Sequence, residues 1–227
     1  QYAIPLRFSA PVDVEVGKLG MDKLRFYLNG EASYVHLLYE VLNTRLTRIL
    51  VRNPLDPRQP ALDLPATALR PLGFEPEEAM LDYPGRSFLG YRLLQEFFAF
   101  PEKFFFLEIE GLEPLLAQGF TNEFEIILLI SKIEQEDFRA KLESFTNPSV
   151  FRHSCAPVIN LFPQTCEAFL LDQKRAEYPI LPDIRRMNAL EIYSIEKVLS
   201  IDHDQQITVA YEPFYSIRHA GAGQKQE

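Results

Sequence analysis

Apolar and polar residues alternate from Ile4 to Ser9, which predicts an opening strand that turns at Ala10 and Pro11. Val12, Val14 and Val16 alternate with Asp13 and Glu15, so a second strand is expected before Gly17 and Gly20 interrupt the run. Lys23 to Leu28 reads as a strand again, and Asn29-Gly30 is a strong turn pair. From Ala32 the period lengthens. Val35, Leu38, Leu42 and Leu46 fall on one stripe, widened by Leu37 and Val41, as in a helix laid on a core. Thr47 to Val51 is apolar and β-branched enough for another strand. Pro54, Pro57, Pro60 and Pro65 then predict an extended surface loop from Asn53 to Pro65, because proline lacks a backbone donor.

Leu69 to Phe74 and the acidic turn Glu75 to Glu78 lead to turn chemistry at Asp82-Tyr83-Pro84-Gly85. The densest apolar block follows, Ser87 to Leu112. Phe88, Tyr91, Leu94 and Phe98 recur at helical spacing beside Leu93 and Phe97, while Arg92, Gln95 and Glu96 are polar. The pattern predicts a helix that buries its aromatic stripe and ends near Ala99, ahead of Pro101. Phe104 to Ile109 is a near-continuous apolar run of strand length, as expected of a strand covered on both faces. Phe97 and Phe105 are accordingly expected among the core rings. Phe124 to Ser131 is a further apolar strand, and Glu134 to Phe145 reads as a short helix or an edge strand.

Beyond Asn147 helical periodicity stops and prolines punctuate short apolar pieces. Val158 to Phe162, Ala168 to Leu171, Tyr178 to Leu181, Glu191 to Ile201 and Ile207 to Tyr211 are the strand candidates. The fold class expected is α+β, with about two main helices packed on sheet and a mostly β, proline-punctuated subdomain after them. The expected division is an α+β domain over 1–147, a β subdomain or arm over 148–217, and a flexible tail over 218–227. Gln1 opens directly on a strand without a methionine, which suggests an internal piece of a longer chain.

Composition narrows the function. The chain has 227 residues and a formal charge of −9, which argues against a nucleic-acid partner. No uninterrupted apolar run is long enough to insert in a bilayer. There is no G-x-G-x-x-G, P-loop lysine, H-E-x-x-H or C-x-x-C, so no cofactor and no catalytic or metal set is expected. Cys155 and Cys166 read as two reduced thiols. A hydrolase or thiol enzyme built on His153, Cys155 and Glu167 is the alternative, weakened because sequence neighbours rarely supply attack geometry. His36 reads as a helix-surface residue. Arg185 and Arg186 form the one notable basic pair and could grip an acidic partner surface. With Tyr211, Phe214 and Tyr215 they are the candidate partner contacts, since interfaces favour arginine and aromatic anchors.

Several stretches together resemble one family. LRPLGF at Leu69 to Phe74 with SFLGYRLLQEFFAFPEKFFFLEIEGL, and PVINLFPQTCEAFLLDQKRAEYPILPD at Pro157 to Asp183, are similar to blocks of the TssF family of type VI secretion baseplate subunits. EIYSIEKV at Glu191 to Val198 and LRFYLNGE at Leu24 to Glu31 fit the same order. Cys166-Glu167-Ala168 departs from the family's pattern of an acidic residue followed by proline. The resemblance implies a cytoplasmic, non-enzymatic assembly subunit without a cofactor. It implies pairing with TssG into wedges that bind TssK and surround the VgrG spike. A second TssF copy and support for the contractile sheath and tube are implied as well, on a phage-tail-like baseplate docked at the bacterial inner membrane.

Overall fold

The computed structural model describes residues 2–56, 58–81, 88–113, 122–145, 147–172, 174–202 and 207–211. The chain divides into two compact units, Gln1–Ile159 and Asn160–Glu227. The first contains two antiparallel four-stranded sheets. One is ordered β1 (Tyr2–Ser9), β7 (Glu123–Ile130), β3 (Leu46–Arg52), β4 (Leu62–Pro65). The other is ordered β5 (Leu69–Pro71), β6 (Phe106–Ile109), β2 (Leu24–Leu28), β8 (Phe151–Arg152). Among the described residues there are three α-helices: α1 (Ala32–Thr44), α2 (Leu89–Ala99) and α3 (Glu136–Phe145). The class is α+β, as the pattern predicts.

Strand alternation builds the core of the first sheet. In the β1–β7 pairing, Ile4 faces Leu128, Leu6 faces Ile126 and Phe8 faces Phe124. The Phe8 and Phe124 rings stack at 4.8 Å, and Phe26 of the second sheet lies 5.8 Å from Phe8. The opposite face of that sheet is solvated and laced by Arg7–Glu123, Arg52–Glu125 and Arg48–Asp63. α1 covers the core with the predicted stripe: Val35, Leu37, Leu38, Val41 and Leu42 are buried, while Leu46 has passed into β3. Glu31 caps α1, accepting from the Ser33 and Tyr34 amides at 3.0 and 3.2 Å. β6 is buried along its whole length, as its apolar run requires. Its one carboxylate, Glu108, is satisfied by Arg25 at 3.1 Å and Lys23 at 3.5 Å.

Four local expectations are corrected. Val12 to Val16 forms no strand: Val12 is 93% exposed, and the chain turns into a 3-10 helix at Val16–Lys18 that buries Val16 alone. The proline-rich loop regains strand geometry at Leu62–Pro65, where Pro65 is tolerated because β4 is an edge. Phe104 and Phe105 end a 3-10 segment, Pro101–Phe105, and the strand starts one residue later. Phe97 is not a core ring; it is 51% exposed. Phe105 is half-buried between His36 and Tyr39, with ring centroids 5.1 and 5.9 Å away. The predicted turn at Asp82–Gly85 lies outside the described residues.

The second unit is mostly irregular. β9 (Val198–Asp202) and β10 (Ile207–Tyr211) form an antiparallel hairpin, with Val198 opposite Tyr211. The other expected strands do not form among the described residues, although Glu167 N–H donates to the Leu181 carbonyl at 2.8 Å. Proline at 163, 179 and 182 removes ladder donors there, so no continuous pairing can develop. Phe169, Leu170, Leu171, Ile192, Tyr193 and Ile195 are all exposed.

Candidate docking surface

The helix α2 is mounted by its polar side. Arg92 and Glu96 are one turn apart, so they share a face, and both are buried, at 1% and 4% exposure. Arg92 Nη2 donates to the Phe74 and Glu75 carbonyls at 2.7 and 3.2 Å. Glu96 Oε1 accepts the Met80 amide at 2.8 Å, and its other oxygen pairs with Arg92 Nη1 at 3.4 Å and with the buried Lys103. Lys103 Nζ also sits 5.3 Å from the centre of the Phe104 ring. The buried set is therefore two cations, one carboxylate and three backbone groups. Burying charge is tolerable only with this degree of pairing. Arg92 Nε alone is left without a partner.

The turn that receives Arg92 is shaped to come close. Gly73 has φ +102°, and a Cβ there would lie 3.2 Å from both the Lys103 carbonyl and the Phe104 ring. A side chain at this position would push the turn away from Lys103. Glu78 then holds the turn, accepting from the Gly73 and Glu75 amides at 2.7 and 3.1 Å.

With its polar face inside, α2 turns its apolar face out. Phe88, Tyr91, Leu94, Phe97 and Phe98 are all exposed, Leu94 at 57% and Phe98 at 80%. This reverses the expected burial of the stripe. What permits the reversal is that the inner side supplies fitted partners for Arg92 and Glu96, namely two carbonyls, an amide and Lys103, which apolar side chains would leave unmatched. The outward rings contact each other edge-on: Phe88 with Tyr91 and Phe97 with Phe98, both at 5.7 Å. Phe88 also folds over Gly90, where a Cβ would collide with its ring.

The other candidates lie elsewhere. Arg185 and Arg186 sit in a 3-10 turn, Ile184–Arg186, and both are exposed. The two part company there: Arg186 pairs with Asp183 at 2.9 Å, while Arg185 lines an open recess of about 490 Å³ with Gln164, Cys166 and Glu167. The Arg186 guanidinium, with the Arg185 amide, holds the Asp183 carboxyl below its usual range. Tyr211 ends β10 and is exposed; Phe214 and Tyr215 lie outside the described residues.

His153 and Cys155 make local contacts within their own loop. The His153 ring faces the Ser154 hydroxyl at 3.0 Å, and the Cys155 thiol is 3.6 Å from the His153 backbone carbonyl. Among the described residues no three His, Cys, Asp or Glu side chains gather as metal ligands, and no helix is long and apolar enough to cross a membrane.

Fold and surface together define an α+β scaffold whose helix α2 exposes an aromatic face among the described residues. The chain belongs to the TssF family of the type VI secretion system, whose model matches residues 1–227. It is similar to the type VI secretion system component TssF1 of Pseudomonas aeruginosa, 32% identical over 213 residues. That alignment covers 94% of this chain and 33% of the relative, so the chain spans about a third of the relative's length. The fold is similar to a chain in a cryo-electron microscopy structure of the type VI secretion TssK-TssF-TssG baseplate subcomplex. There the TM-score is 0.74 at 25% identity, over 97% of this chain and 40% of that one.

Proposed function

We propose that the protein containing this chain works as a structural subunit of the type VI secretion baseplate, pairing with TssG into wedges that bind TssK. The family match along the whole chain carries this reading. The TssK-TssF-TssG subcomplex that contains the similar chain supports the choice of partners. In the same proposal the wedges include a second TssF copy, surround VgrG, and support assembly of sheath and tube in the bacterial cytoplasm at an inner-membrane-docked baseplate. The work is mechanical rather than catalytic: rigid sheets hold contact surfaces in register. Arg185, Arg186 and Tyr211 remain proposed contacts on the second unit, because their side chains are exposed, although Arg186 would bring Asp183 with it as its ion-pair partner.

The test is purification of the full-length protein from a bacterium with an active type VI system. TssG and TssK are expected in the eluate. Recovery of neither would overturn the proposal. The enzymatic alternative makes the opposite demand on Cys155: secretion unchanged by Cys155→Ala removes it, and secretion abolished in a normally folded variant revives it.

A further inference from the structure

The helix α2 stands outside the hydrophobic core that the rest of the first unit shares. Among the described residues that core joins strands of both sheets to α1, and no apolar side chain of Leu89–Ala99 belongs to it or packs against it. The only residues α2 buries are Arg92 and Glu96. Its inward apolar contacts are slight: Leu93 is half-buried, and Phe97 meets the buried Phe104 with ring centroids 6.0 Å apart. Phe104 has other cover, from the Phe74 ring at 5.1 Å and from the close approach of Gly73.

A helix held this way has a distinctive energy balance. Its docked state rests on two hydrogen bonds from Arg92 to backbone carbonyls, one from the Met80 amide to Glu96, and the pairing of Glu96 with Lys103. The Arg92–Glu96 pair lies within the helix, at i and i+4, so it need not break when the helix leaves. On release these groups return to water, which relieves the desolvation that buried charges suffer. Arg92 Nε, unmatched in the docked state, gains a partner there. The loss that normally opposes opening, exposure of buried apolar surface, is small. Strands are held otherwise: Ile126, Leu128 and Ile130 of β7 are buried in the core, and β7 is paired with β1 on one side and β3 on the other.

We infer that α2 is a separately opening element, which detaches as one cooperative unit while both sheets and α1 stay folded. Proteins open in contiguous units of unequal stability, and units with few buried apolar contacts open first. Arg92, Glu96 and Lys103 form the catch of this device. The fold thereby combines a fixed scaffold with one helix that moves independently of it.

The test is hydrogen exchange, read by mass spectrometry, on the full-length protein in water and at urea concentrations below its unfolding transition. Without urea, amides of α2 are expected to exchange about tenfold or more faster than those of β7. Their rate should also climb much less steeply with urea, because that slope scales with the surface an opening exposes. In a second arm, Arg92→Lys keeps the charge but loses the fork that reaches two carbonyls and Glu96 at once. It should speed exchange of α2 by about threefold or more and leave β7 unchanged. A common rate or a common urea slope for α2 and β7 would overturn the inference, since the helix would then open only with the core. An Arg92→Lys effect of equal size on both, or none on α2, would overturn it as well.

Discussion

Glu96 is the residue on which the mounting of α2 turns, because it faces two buried cations and a backbone amide at once. Glu96→Ala leaves Arg92 and Lys103 desolvated and unpaired, a loss of roughly 3–5 kcal/mol for a buried pair. That cost falls locally, so hydrogen exchange should show α2 unprotected while β6 and β7 stay protected. Replacing Arg92, Glu96 and Lys103 together by methionine should cost less than Glu96→Ala, since no buried charge is then stranded and only the Phe74 and Glu75 carbonyls and the Met80 amide lose their partners. Protection of α2 unchanged in Glu96→Ala would contradict this. At the start of α1, Glu31 gives a pH signature. The Ser33 hydroxyl, then the Ser33 and Tyr34 amides, with Lys141, hold its carboxyl below the usual range. A depressed carboxyl contributes stability above the ordinary carboxylate range and loses it as pH falls through its folded value. The wild type should therefore exceed Glu31→Gln in stability at neutral pH, and urea titrations should show the gap closing in acid.

At the scale of elements, two helices of similar apolar content have opposite roles. Leu38 of α1 is fully buried in the hydrophobic core, whereas Leu94 and Phe98 of α2 face solvent. Leu38→Ala should cost about 2–5 kcal/mol in denaturant unfolding. Phe98→Ala should stay within about 0.5 kcal/mol of wild type. Equal losses would mean α2 is part of the core. The α1 stripe was legible in the sequence because one face is apolar and the rest polar. In α2 the apolar residues spread over roughly 200° of the circumference at about 100° per residue. That is more than one contact face needs, and it was the available signal that α2 serves two surfaces. The i, i+4 spacing of Arg92 and Glu96, with Lys103 past the breaker, was the companion signal. Their burial was not legible, because the partners that permit it are carbonyls and an amide in a turn distant in sequence. Strands were legible where alternation met a partner, as in β1 and β7, and failed where none came, as at Val12 or Phe169.

For the whole molecule, the two units differ in how they are held. The first closes a core shared by two sheets and α1. Its last strand, Phe151–Arg152, is paired with β2, so the chain is still tied down beyond Asn147. Limited proteolysis should consequently cut first after residue 159 and leave a stable fragment extending past Arg152. A first cut at Asn147 that releases two stable pieces would support the division at that residue instead. The second unit leaves its large apolar side chains exposed along Phe169–Leu171 and in the hairpin. An isolated two-stranded hairpin is marginal in water, which fits a segment that gains order on a further surface. Family and fold class were readable from sequence blocks and periodicity; the outward turn of α2 required the structure.

The most direct measurement is co-purification with the full-length protein carrying Leu94→Glu and Phe98→Glu. Both positions face solvent, so the folded protein should melt as the wild type does. If the polar mounting of α2 exists to display its aromatic face to a partner, the variant should lose at least one of TssG and TssK from the eluate. Undiminished recovery of both by a normally folded variant would contradict that account.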